Sequence, residues 1–159
     1  MIFMEPQALG VTVLCKSWVE RLPEDFKPSG EKFQELFDAF VPGALTFLRR
    51  NLIETAVTVD NNLVNSMFKI IDCQMAVFLN KEEGGDEEEN KGKPEKMISE
   101  SFMFALIWSI GGSCDARSRI KFDGWLRENA TEKGYTGMIP GSGADDDEIC
   151  YDKLFHVKQ

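Results

Sequence analysis

The sequence predicts a mainly α domain: a helical bundle of four to five helices, with short strand-like pieces at its two ends. Three observations carry that prediction. Apolar side chains recur at i, i+3, i+4 and i+7 along most of the chain, the period of a helix with one buried face. Gly, Pro and cap-forming residues punctuate those stretches and leave mostly short connections. With 159 residues, 43% of them apolar and 11% aromatic, the chain can bury one substantial core.

The opening MIFME is β-like and stops at Pro6. It is too short to form a sheet alone, so it reads as a strand of a larger sheet. After Gly10, Val11, Leu14, Cys15, Trp18 and Leu22 mark a first amphipathic helix that ends near Pro23. Ser29 can cap the second, with Glu31 well placed for the helix dipole. Phe33, Leu36, Phe37 and Phe40 form its stripe, and Leu45, Leu48 and Leu52 continue it. Pro42-Gly43 should kink or restart that helix. Asp60 or Asn61 can cap a third, lined by Leu63, Met67, Ile70, Ile71 and Phe78. Residues 81–96 (KEEGGDEEENKGKPEK) are charged and almost devoid of apolar anchors, which predicts a flexible loop. The fourth helix, Met97 to Ile110, is apolar nearly all round and should be buried between neighbours. On that reasoning Trp108 should lie deeper than Trp18. Gly111-Gly112 should end this helix with a left-handed cap. Ser113 or Asp115 caps the fifth, which runs to about Asn129. Beyond it the chain is loop-rich, and EICYDKLFHV alternates weakly enough to contain one or two strands. No internal repeat is visible.

The formal charge of −9 is concentrated in two runs. Glu82, Glu83, Asp86, Glu87, Glu88 and Glu89 form one, and Asp145, Asp146, Asp147 and Glu148 the other. The rest is nearly neutral, and without a basic patch nucleic acid is not an expected partner. The first run lacks the alternating spacing of a calcium loop and reads as solvated charge. Cys15, Cys73, Cys114 and Cys150 are far apart, with no CxxC pair and a lone His156, so no metal site is expected. Cys15 and Cys73 read as small buried hydrophobes, and the set as reduced thiols. The N-terminus has no basic region of the secretory type. No apolar run reaches the roughly 18–20 residues that span a membrane, so none is expected as a partner.

No phosphate-binding GxxxxGK[ST] loop, HExxH or GxSxG is present, and no catalytic residue is assigned. Two arginines at the start of the fifth helix remain. On a wheel of 100° per residue, Arg119 lies about 60° from Phe122 and about 20° from Leu126, at the border of the apolar face. Arg117 lies on the far side with Lys121 and Gly124 and should be a surface charge. Arg119 either snorkels along the core edge or reaches an anionic group.

MIFMEPQALG, SWVERLP, DNNLVNSMFKIID and FALIWSIGGSCDARSRIKFDGWLRE together resemble the axonemal dynein heavy chains. The likeness is to the segment joining the second and third ATPase modules of the motor ring, and it covers most of the chain. It implies that residues 1–6 end the preceding AAA+ core, that 7–130 form its helical lid, with the acidic loop at 81–96, and that 131–159 connect towards the next module. The chain reads LGVTVL where the family usually has a Trp, and often a Pro, after the first Leu-Gly. Ser118 stands where the family often has Gly before the matching arginine.

Lids of this kind close over nucleotide held by the core and commonly supply a sensor arginine to its phosphates. By position that residue is Arg119, and a guanidinium fork suits phosphate oxygens. The free N–H groups of the helix start would also favour an anion. The resemblance further implies a fragment that needs no cofactor and has no catalysis of its own, within an ATP-driven motor that binds ATP or ADP with magnesium. In the second module nucleotide is associated with retention more than turnover. Expected partners are the neighbouring AAA+ modules, microtubules and the dynein intermediate and light chains, in the cytoplasm and the axoneme of cilia or flagella. The residues alone leave a second reading open, a freestanding helical module that binds a partner helix in an aromatic-lined groove.

Overall fold

The computed structural model describes residues 10–82, 94–139 and 150–151. Five α-helices occupy them: α1 (Val11–Glu20), α2 (Gly30–Asn51), α3 (Asp60–Glu82), α4 (Pro94–Ser109) and α5 (Ala116–Glu132). Three short 3₁₀ turns join or follow them, at Glu24–Ser29, Gly111–Ser113 and Thr136–Met138. The predicted mainly α bundle is therefore the observed one. The opening MIFME, all of EICYDKLFHV but two residues, and residues 83–93 of the acidic loop lie outside the described residues; Cys150 and Tyr151 are described and form a turn, not a strand. At its edges that loop is shorter than expected, because α3 runs to Glu82 and α4 begins at Pro94.

The core is a single cluster to which every helix contributes. α2 lies at its centre and packs against α1, α4 and α5, while α3 packs on α1 and α4. Phe33, Leu36, Phe37, Phe40, Val41, Ala44, Leu45 and Leu48 of α2 are buried, a stripe wide enough to serve several neighbours. Pro42 does not restart the helix, which continues to Asn51. Gly43 instead makes room for a neighbour: a Cβ there would lie 3.2 Å from the Trp125 ring. That ring crosses α2 and stacks on Phe47 at 5.2 Å and 17°.

Other local expectations are corrected. Ser29 occupies the N-cap position of α2 but makes no side-chain cap bond. Gly111 and Gly112 do not adopt a left-handed conformation; among the described residues only Gly10 and Gly134 have positive φ. Gly111 is required by close approach, since a Cβ would overlap the Tyr151 hydroxyl and lie 2.7 Å from Phe122. Cys73 is exposed, on the solvent side of a helix whose buried positions are Leu63, Val64, Met67, Phe68, Ile71 and Met75. Most of α4 is indeed buried, but Trp108 is its exception at 37% exposure, whereas Trp18 is 5% exposed. Neighbouring helices leave the side of α4 at Trp108 partly uncovered, and a helix apolar all round carries no sequence mark of which side that will be.

Candidate functional site

The start of α5 is built from segments far apart in the chain. Asp115 is the N-cap, and its carboxylate accepts the Ser118 amide at 2.8 Å. The Ser118 hydroxyl and amide hold that carboxyl below its ordinary range. The Asp115 side chain thus satisfies one free N–H of the helix N-terminus and places a carboxylate there. The α2–α3 connection pairs alongside. The Asp115 amide donates to Ile53 O (3.0 Å), the Thr55 amide to Ser113 O (2.9 Å) and the Ile53 amide to Ser118 Oγ (2.9 Å). Glu54 and Cys114 form an antiparallel bridge. Ser118 is buried and helical, and its hydroxyl ties the α2–α3 connection to the start of α5.

Arg49 organises the other end of the α2–α3 connection. It bonds Glu54, the Thr58 hydroxyl (3.2 Å) and Asp60 (2.6 Å). Burial opposes ionisation of Glu54, but the Thr58 hydroxyl and amide and the Arg49 guanidinium outweigh it and hold the carboxyl below its ordinary range.

Arg119 sits one turn into α5 and is half-buried, whereas Arg117 is exposed, as the wheel indicated. Its Nε donates to Cys114 O (3.1 Å) and its Nη2 to Gly112 O (3.2 Å). Its guanidinium carbon lies 5.7 Å from the centroid of the Tyr151 ring, a cation–π distance. No carboxylate among the described residues forms an ion pair with it. The two carbonyls and the ring fix the guanidinium plane and, among the described residues, leave both Nη1 protons and one on Nη2 for another acceptor.

Tyr151 and Asp123 were not singled out by sequence reasoning. Asp123 is buried on α5. One of its oxygens accepts Arg127 Nε (2.9 Å) and the other the Cys150 amide (2.9 Å). Cys150 and Tyr151 are thereby held against α4 and α5. The Tyr151 ring meets Trp108 edge-on at 5.9 Å and 83°, and its hydroxyl, buried at Gly111, has no hydrogen-bond partner among the described residues. Burial raises the phenol pKa and, with the Asp123 hydrogen bond, that of the Cys150 thiol. The one available signal was an Asp beside Phe122 on the packed side of a helix, a position that calls for a buried donor.

Among the described residues no group of three or more His, Cys, Asp or Glu could hold a metal ion, and no helix is long and apolar enough to cross a membrane.

Among the described residues the chain is a mainly α bundle of five helices, the fold class of a helical lid domain. The match to the dynein heavy chain AAA lid domain covers residues 33–159, and the chain belongs to that family. It is 35% identical over 129 residues to dynein axonemal heavy chain 1 of Mus musculus, covering 80% of this chain and 3% of the relative. It is 32% identical over 146 residues to the heavy chain 1 of Homo sapiens, covering 90% and 3%. To dynein axonemal heavy chain 12 of Mus musculus it is 28% identical over 166 residues, covering 99% and 5%. The chain thus spans only a small part of the length of these relatives. No solved structure matches it.

Proposed function

We propose that this chain is the helical lid of an ATPase module in an axonemal dynein heavy chain, and that Arg119 contacts the phosphates of nucleotide held by that module. The observation that carries the reading is the guanidinium held at a fixed angle by two carbonyls and a ring, with donors left over. Such a group suits an oxyanion, which accepts several N–H bonds at once. Family membership favours this over a freestanding helix-binding module.

The parent would be an ATP-driven microtubule motor of cilia or flagella, which also engages intermediate and light chains. Residues 1–6 would end the preceding AAA+ core and 131–159 would lead towards the next module, the second and third modules being the pair involved. The lid would transmit nucleotide state to its neighbours by rigid-body movement. It would have no catalysis of its own, with ATP or ADP and magnesium held chiefly by the core. What this chain supplies towards the nucleotide is one guanidinium.

The test is Arg119→Ala beside Arg117→Ala in the heavy chain. Losing a charge-assisted contact of about 1.5–3 kcal/mol should weaken nucleotide retention roughly ten- to a hundredfold, while Arg117→Ala should be nearly silent. Unchanged release with Arg119→Ala, or a larger effect from Arg117→Ala, makes Arg119 a core-edge charge.

A further inference from the structure

Tyr151 is held more elaborately than a chain crossing a surface requires. Gly111 leaves room for its hydroxyl, since a Cβ there would overlap that oxygen. Trp108 borders the ring edge-on. Asp123, itself buried, fixes the preceding amide at Cys150. Arg119 lies over the ring. One feature of the seat opposes it: the hydroxyl is buried without a partner among the described residues. An unpaired buried hydroxyl destabilises the seated state relative to a hydrated one. Seating therefore depends on the remaining contacts, and Arg119 makes one of them.

We propose that Tyr151 is a positioning residue for Arg119: seated at Gly111, its ring fixes the guanidinium in the direction from which a nucleotide phosphate is met, so that seating and anion binding favour one another. The inference rests on Arg119 as the phosphate contact. The carbonyls of Gly112 and Cys114 hold the guanidinium by its edge. The ring supplies the face, and without it the group can swing about that edge. The remaining Nη protons then lose their common direction, and each contact to phosphate must first be ordered. By reciprocity, phosphate on Arg119 stabilises the arrangement in which the ring is seated, and so holds Cys150 and Tyr151 against α4 and α5. Nucleotide state would in this way reach the chain that follows α5 without any contact between Tyr151 and nucleotide.

The experiment uses the heavy chain that carries this lid and reads two quantities. One is dissociation of fluorescently labelled ADP from the lid's own module; the other is hydrogen exchange at the Cys150 amide with and without ADP. Tyr151→Leu fills the seat but offers no π face. It should weaken ADP retention about three- to tenfold, the scale of a partly desolvated cation–π contact. In an Arg119→Ala background it should cause no further loss. Tyr151→Phe keeps the ring and removes the orphan hydroxyl, so ADP retention should be unchanged or tighter and Cys150 exchange slower. In the unsubstituted chain ADP should slow Cys150 exchange, an outcome that requires no variant to fold. If Arg119→Ala weakens retention while Tyr151→Leu does not, or if the two losses add, Tyr151 does not position Arg119 although the phosphate contact stands. If ADP leaves Cys150 exchange unchanged, the reciprocity is absent and the inference fails. If Arg119→Ala leaves retention unchanged, the phosphate contact itself falls, and the inference with it.

Discussion

Replacing Trp18 with Ala should destabilise the chain far more than replacing Trp108 with Ala, the reverse of what the hydrophobicity of their helices indicates. Trp18 is 5% exposed, stacks on Phe68 at 4.7 Å and 4°, and meets Phe33 edge-on at 5.1 Å. Its Nε1 donates to Asp72 at 2.9 Å. Truncating a large buried aromatic typically costs about 3–5 kcal/mol, and the site between α1, α2 and α3 cannot collapse without moving a helix. Asp72 is exposed and regains water, so its lost partner adds little. Trp108 is 37% exposed and touches Phe104 and Tyr151 at its edge. With the apolar transfer scaled to its buried part, its loss should cost about 1.5–3 kcal/mol. Urea unfolding measures the difference directly. A gap of about 2 kcal/mol corresponds to roughly 1 M in the midpoint at an m-value of about 2 kcal/mol/M. Trp18→Phe, which keeps a ring against Phe68, should fall between the two. A midpoint lowered as much by Trp108→Ala as by Trp18→Ala, at unchanged m, would refute the placement of α1 as a full partner in the core.

The thiols should separate in a labelling experiment: Cys73 should react in the native chain, while Cys15 and Cys114, buried in the body of the bundle, should react only on unfolding. Burial pushes the Cys15 thiol up to about 12, which further suppresses thiolate at neutral pH; native labelling of Cys15 or Cys114 would contradict the fold. Glu54 should contribute to stability in a pH-dependent way. Its folded pKa is lowered from 4.5, so its contribution is full above that value and is lost as pH falls through the folded pKa. Glu54→Gln should therefore cost about 1–2 kcal/mol at neutral pH and flatten the acid limb of the stability curve, and an unchanged acid limb would show that Arg49 and Thr58 do not hold the carboxylate.

The helices were legible because each has a stripe, and their positions came from residues whose chemistry is local. Asp115 caps α5 because a short carboxylate reaches an amide three residues on, a relation contained in the sequence itself. The wheel separated Arg119 from Arg117 for the same reason. What the sequence did not disclose depends on contacts between distant segments. The Ser118 hydroxyl looks like an indifferent replacement for Gly until the Ile53 amide, 65 residues away, is placed against it. Gly111 reads as a helix stop, and only the arrival of Tyr151 shows that it provides space. Trp108 and Cys73 were misplaced because an apolar stripe says that a helix is buried but not how far the cover extends.

These distant contacts also determine how a lid built this way must act if Arg119 meets phosphate. The guanidinium is referred to carbonyls at 112 and 114, and the Ser113–Asp115 segment is bonded to Ile53 and Thr55. Ile53 is bonded in turn to Ser118, and Arg49 ties the far end of that connection to the starts of α3 and the end of α2. The site therefore shares its hydrogen bonds with two connections and through them with four of the five helices. Swinging Arg119 alone would break both carbonyl bonds and the ring contact, and moving the turn alone would break the pairing with 53–55. Displacing the bundle as one body breaks none of these. Small displacements at the phosphate end would then be carried across the whole lid, because a packed core transmits movement instead of absorbing it. The segment at Cys150 and Tyr151 differs: it is joined to this body by the Asp123 bond and an aromatic seat with an unpaired hydroxyl. Such an attachment is a place where the chain beyond α5 can change its hold on the lid while the lid itself stays intact.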